Sequence, residues 1–231
     1  MIEHSSFPPE IIPAIIPKSW RDIPEQVELV HKYVARVQVD VMGGLYTPEP
    51  SWPYNDVDVT RFRDLVEERE GLPHWETLDF EIDMMTCDPE DKISDWIAAG
   101  ASTLIIHKHS TTDDVIDRII QKAGERGVGI ALALKPTTAN DELAPFIERI
   151  SFVQCMGNDR IGFHKVPLDE VVYDKIRDLT ARWDIPVGVD IGVNRETAPR
   201  LIEAGATRLV SGSAIFGKDD IAENIAALKG V

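Results

Sequence analysis

Cysteine is scarce in this chain of 231 residues: only Cys87 and Cys155 occur. Two thiols behind an N-terminus (Met1-Ile2-Glu3-His4-Ser5) with no basic start and no apolar stretch point to a reducing, cytoplasmic setting and disfavour a disulfide. Long apolar runs are missing too. The longest, such as Gly129-Ile130-Ala131-Leu132-Ala133-Leu134, fall far short of the roughly 20 residues that a membrane helix needs. Basic residues are outnumbered, 24 against 40 acidic, for a formal net charge of −16. Such a chain repels nucleic acid and anionic membrane unless a basic patch intervenes. No basic run occurs, and the nearest candidate, Arg195 to Arg200, is broken by Glu196. Neither nucleic acid nor membrane is therefore an expected partner. A Gly-rich dinucleotide fingerprint is absent after the first strand pattern, which weakens an open doubly wound sheet. No low-complexity segment or linker divides the chain.

What is present is a repeated unit: a short β-branched run, a turn, then an amphipathic stretch. Strand patterns fall at 11–16, 36–42, 78–84, 103–107, 129–134, 152–156, 186–190 and 208–211. Helical patterns follow near 24–33, 59–70, 89–98, 112–126, 140–150, 168–182, 195–204 and 219–228. Ala98-Ala99-Gly100-Ala101 and Glu203-Ala204-Gly205-Ala206 repeat one device, in which glycine takes a left-handed cap between a helix and the next strand. Alternation of this kind implies a parallel sheet. Eight units in 231 residues favour an α/β fold closed as a (β/α)8 barrel in a single domain. The connection at 43–77 is longer than the others. It carries Tyr46, Trp52, Tyr54 and Trp75 with four prolines, and reads as an extended loop for specificity, as an ordered surface loop or as a subunit contact.

Asp40 and Asp190 each end a Val-rich strand pattern, Val37-Gln38-Val39-Asp40-Val41-Met42 and Pro186-Val187-Gly188-Val189-Asp190. In a closed barrel two such carboxylates can face one bound molecule from opposite sides. That is the requirement of a two-base epimerisation, in which one group removes a proton from carbon and the other returns one to the far face.

The fragments Val39-Asp40-Val41-Met42, Met84-Met85, Ala99-Gly100-Ala101, Ala133-Leu134-Lys135-Pro136-Thr137-Thr138, Val189-Asp190-Ile191-Gly192-Val193 and Val210-Ser211-Gly212-Ser213-Ala214-Ile215-Phe216 follow one another in the order and spacing of ribulose-phosphate 3-epimerases. The chain resembles that family over about 11–225. The resemblance implies a TIM barrel, a phosphorylated sugar as substrate, a divalent metal and a homo-oligomer. It also implies that Asp40 and Asp190 act as acid and base while binding the metal. Gly212 and Ser213, expected to open a short helix after strand eight, offer bare N–H groups to a phosphate, and Gly192 adds a close backbone approach.

The metal half departs from the family. Gln38 and Asp83 stand where histidines are expected, leaving Gln38, Asp40, Asp83 and Asp190 as candidate ligands. An all-oxygen set suits Mg²⁺ or Mn²⁺ better than Zn²⁺. Gly43-Gly44 replaces an Asp-Gly, and Ala14 replaces a substrate-contacting serine. The loop after strand six, from Met156 through Gly162-Phe163-His164-Lys165, keeps little of the family's glycine-rich cover. Met42 and Met156 complete the candidate site at their strand ends.

His107 and His109 would share a face with Asp83 in a displaced metal site if strand four ran on, or else divide into one packed and one exposed side chain. Cys87, Cys155 and Lys135 read as structural before they read as nucleophiles, while Lys165 could in principle form a Schiff base. The sequence thus points first to a ketose-phosphate 3-epimerase. A lyase, aldolase or isomerase on the same phosphate-binding barrel, or a non-catalytic sugar-phosphate-binding homologue, are the alternatives.

Overall fold

The computed structural model describes residues 9–163, 166–217 and 220–230. It is an eight-stranded parallel barrel closed in sequence order. The strands are β1 (Glu10–Ile15), β2 (Arg36–Met42), β3 (Asp79–Met85), β4 (Thr103–His107), β5 (Gly129–Leu134), β6 (Phe152–Met156), β7 (Val187–Asp190) and β8 (Arg208–Ser211). The helices are α1 (Asp22–Val30), α2 (Val59–Val66), α3 (Pro89–Ala98), α4 (Asp113–Gly124), α5 (Val171–Arg182), α6 (Ala198–Ala204) and α7 (Ile221–Lys229). Chain contacts group the residues into two units, one running from Ala14 to Ala131 and the other taking in the described residues up to Pro13 and from Leu132 onward. No helix among the described residues is long and apolar enough to cross a membrane.

The strands are buried on both faces, as expected of a parallel sheet covered by helices. In the Ala14–Ala131 unit, Ile82, Ile105, Leu104 and Val39 form the sheet core, and Ile23, Val27, Leu65, Ile93 and Trp96 cover it from the helices. A charge also enters this core. Glu81 is fully buried and accepts a hydrogen bond from Arg36 Nη1 at 3.1 Å, at the entry side of β2 and β3. The other unit repeats the device, with Arg208 Nη1 donating to Glu10 Oε2 at 3.1 Å.

Gly100 and Gly205 take positive φ, +96° and +111°, and end their helices as the repeated Ala-Gly-Ala pattern predicts. Besides shifted ends, such as α2 stopping at Val66 and α1 at Val30, three elements differ from the sequence reading. The helix expected over 140–150 is two short 3-10 turns, Asn140–Leu143 and Ile147–Arg149. Pro145 lies between them, and its missing N–H and its ring cannot sit inside an α-helix. The helix expected from 195 begins at Ala198, after a turn in which the Asn194 carboxamide oxygen takes the N–H groups of Glu196 and Thr197 (2.8 and 3.1 Å). Gly212 and Ser213 open a turn, closed by Ile215 and Phe216 N–H onto the Gly212 carbonyl (3.0 and 2.9 Å), and not a helix.

Candidate active site at the strand ends

In the Ala14–Ala131 unit, β2 and β3 pair in register with Gln38 opposite Glu81, Asp40 opposite Asp83 and Met42 opposite Met85. Strand alternation puts Gln38, Asp40 and Met42 on one face, with Asp83 beside Asp40 on the same face. Both aspartates are buried, at 5 % and 0 % exposure, and offer carboxylate oxygens within 4.8 Å of each other. Gln38 Nε2 donates to Asp40 Oδ1 at 2.7 Å. The residue expected as a metal ligand therefore turns its N–H toward Asp40.

His107 is the last residue of β4, buried, with Nε2 2.8 Å from Asp83 Oδ1. Its Nδ1 is buried without a hydrogen-bond partner among the described residues. His109 does not share this face: the strand stops at His107, a 3-10 turn over Lys108–Ser110 follows, and His109 is exposed. Cys87 is exposed as well.

Two residues that sequence reasoning did not single out complete this half. The loop after β2 brings Tyr46 back edge-on to His107, with ring centroids 5.3 Å apart. Burial, and then the charges of Asp83 and Cys87, raise its hydroxyl well above the ordinary tyrosine value, so Tyr46 is a neutral phenol beside the acids. Ser51 folds back onto the end of β2. Its hydroxyl accepts from Met42 N–H (2.9 Å) and donates to the Asp40 carbonyl (3.0 Å), while Trp52 N–H reaches the Pro17 carbonyl (2.9 Å). The 43–77 loop is thus bonded to the backbone that carries Asp40.

In the other unit, Asp190 ends β7, 9 % exposed, with Met156 of β6 as its register partner. Its Oδ1 accepts the Ile191 N–H at 2.7 Å. Ile191 holds φ at +75°, which is strained for a β-branched residue and is a kind of outlier that gathers at functional sites. Gly192 follows with φ +78°, and a Cβ there would meet Leu168 N at 2.7 Å. Chain packing alone already requires glycine at 192. The same crowding holds at Gly157, where a Cβ would lie 1.9 Å from the Ile191 carbonyl oxygen.

Beyond these turns lies a cleft of about 400 Å³ lined by Asn194, Arg195, Glu196, Ser213, Ala214, Gly217 and Asn224. Arg195 Nη2 donates to Asn224 Oδ1 at 2.7 Å, which holds the guanidinium over the cleft. Cys155 points away from Asp190 by strand alternation, and complete burial pushes its thiol up to about 12, so it is an inert core thiol. His164, Lys165 and Asp219 lie outside the described residues.

A parallel barrel with acids and an Arg-bearing polar cleft at the C-terminal ends of its strands is a (β/α)8 barrel of the kind that carries its chemistry at that end. The chain belongs to the Ribulose-phosphate 3 epimerase family, whose model matches residues 10–216. It is 27 % identical over 228 residues to a ribulose-phosphate 3-epimerase of Bacillus subtilis, covering 96 % of this chain and 98 % of that one. A chloroplastic ribulose-5-phosphate-3-epimerase of Arabidopsis thaliana is 28 % identical over 228 residues, covering 95 % of this chain and 75 % of that one. Among solved structures, a mutant tryptophan synthase alpha-subunit of Pyrococcus furiosus superposes with a TM-score of 0.71 at 16 % identity, over 96 % of this chain and 98 % of that one. At that identity the likeness concerns the fold.

Proposed function

We propose that this protein epimerises a ketose phosphate, with ribulose 5-phosphate as the leading substrate, at C3 by two-base proton transfer between Asp40 and Asp190. The observation that carries the reading is the acid set. Asp40 and Asp83, both buried, offer oxygens within 4.8 Å of each other at the ends of β2 and β3, and Asp190 is buried at the end of β7, at the positions where family resemblance expects acid, base and metal ligands. One aspartate takes the C3 proton from one face of the substrate, and the other returns a proton to the opposite face. The roles reverse in the reverse direction. Gln38 Nε2 and the Ile191 N–H each hold one oxygen of these carboxylates and so fix how they are aimed.

The donor set fits a divalent cation. Two buried carboxylates side by side, Asp40 and Asp83, repel one another unless a positive charge lies beside them, and an all-oxygen set favours Mg²⁺ or Mn²⁺ over Zn²⁺. Asp40, Asp83 and Asp190 would hold it. Gln38 and His107 act behind them, through Asp40 and Asp83, in the manner of groups that orient a ligand. When bound, such a cation polarises the substrate carbonyl and offsets the charge that develops on its oxygen as C3 loses its proton.

The cleft beyond β7 and β8 suits the phosphate. Ser213 and Arg195 line it, and in a protein of net charge −16 a local cation is what an anionic substrate requires. Turnover tests the assignment: incubation with ribulose 5-phosphate yields its C3 epimer, and absence of conversion across pentulose and hexulose phosphates contradicts it. In the same assay Arg195→Gln raises KM roughly tenfold, for a lost hydrogen bond to a charged group, with kcat little changed. An unchanged KM moves the phosphate elsewhere.

A further inference from the structure

A second cluster of ligating side chains lies at the other end of the strands from Asp40, before β3 begins. Glu28 occupies the last turn of α1, His31 is the residue just past it, and His74 lies in the turn between α2 and β3. One ligand atom from each lies within 4.8 Å of the other two. Glu28 Oε2 is 3.0 Å from His74 Nε2, and Glu28 Oε1 is 3.6 Å from His31 Nε2. The two imidazoles stack, with centroids 3.8 Å apart and planes at 14°. His74 keeps this position with φ at +57°, in the left-handed region that few non-glycine residues adopt.

From this geometry we infer a surface site for a first-row transition-metal ion, Zn²⁺ by chemistry, with Glu28, His31 and His74 as its three protein ligands. The separations of 3.0 and 3.6 Å bracket the ~3.3 Å between ligand atoms that tetrahedral Zn–N and Zn–O bonds of about 2.0–2.1 Å impose. The 3.6 Å separation is too long for a hydrogen bond. His31 Nε2 is accordingly buried with no hydrogen-bond partner among the described residues, a costly state that a cation relieves. Two imidazoles with one carboxylate form a borderline-soft donor set. It selects zinc, copper or nickel over the magnesium or manganese suited to the all-oxygen cluster at the strand ends. Binding tilts the rings out of their stack so that both Nε2 atoms point at one ion. Glu28 is 64 % exposed, so the fourth position opens to water. The ion ties the end of α1 to the turn that leads into β3. At one hundred times its dissociation constant it shifts the folding equilibrium about 100-fold toward the native state.

Titration with Co²⁺, read by visible absorption, tests the site, since imidazole-bound four- or five-coordinate cobalt absorbs far more strongly than cobalt in an octahedral all-oxygen site. The unmodified protein and the Asp40→Asn/Asp83→Asn double variant both develop this absorption, and Zn²⁺ displaces the cobalt. His31→Gln and His74→Gln weaken the binding by roughly tenfold or more. Glu28→Gln, a change on an exposed side chain that leaves folding intact, weakens it as well. Absence of the absorption, or an affinity unchanged from the unmodified protein in Glu28→Gln and both histidine variants, overturns the site. Loss confined to the Asp40→Asn/Asp83→Asn protein assigns the ion to the strand-end cluster instead.

Discussion

Asp40→Asn and Asp190→Asn each lower kcat for epimerisation by about 10²- to 10⁴-fold, the usual contribution of a positioned acid or base. Both substitutions keep the fold. Asparagine retains the oxygen that accepts from Gln38 Nε2 at position 40 and from the Ile191 N–H at position 190. What disappears is the capacity to take a proton. With one base left, proton exchange persists on one face of the substrate. In D₂O, one variant washes deuterium into one C3 epimer and the other variant into the other, each faster than its residual net conversion. KM changes little if the phosphate binds, as proposed, in the cleft around Ser213 and Arg195. Circular dichroism and rates measured side by side check the result. Turnover at the unmodified rate in either variant removes that residue from the chemistry.

Trp52→Ala costs about 3–5 kcal/mol of stability, as expected for emptying a fully buried tryptophan position. In a domain with some 5–15 kcal/mol in hand this is a large fraction. Trp52 has no exposed surface, although it lies in a connection that reads as loop. Its ring meets those of Trp20, Phe62 and Trp96 at 5.4, 5.6 and 6.2 Å, and Trp96 Nε1 donates to Tyr54 Oη of the same loop at 2.9 Å. Offset and edge-on aromatic contacts of this kind add to what burial alone contributes. Because Ser51 precedes it and bonds the Asp40 carbonyl, the substitution also loosens the backbone behind the site. Denaturant titration reads the loss. Leu45→Ala in the same loop, at a side chain 88 % exposed, stays within about 0.5 kcal/mol of the parent. Equal midpoints for the two variants would mean that the loop packs independently of the barrel.

The strands were legible because a buried parallel sheet writes itself as β-branched runs. β2, β4, β5, β6 and β8 begin and end where their patterns do, as does α3 with Pro89 at its start. Asp40 and Asp83 were legible as neighbours for the same reason, since a parallel register and strand alternation leave no other face for them. What failed was local. Pro145 interrupts a helical pattern through one missing N–H, Asn194 sets a turn ahead of α6 through two side-chain bonds, and a hydropathy pattern does not register either. Gly212 and Ser213 kept their turn but not the helix expected after it. Tyr46, Ser51 and the strained φ of Ile191 reach the site through loop conformation. The Glu28–His74 contact spans 46 residues of chain with no motif between them. Gly192 reads as a phosphate contact in sequence, yet its glycine is demanded by the backbone of Leu168.

Proton NMR of ribulose 5-phosphate incubated with the protein in D₂O tests the two-base reading most directly. The expected result is loss of the C3 proton signal, with one deuterium at C3 in both epimers and none at C1. Deuterium at C1, cleavage of the carbon chain, or full retention of the C3 proton during turnover would contradict it.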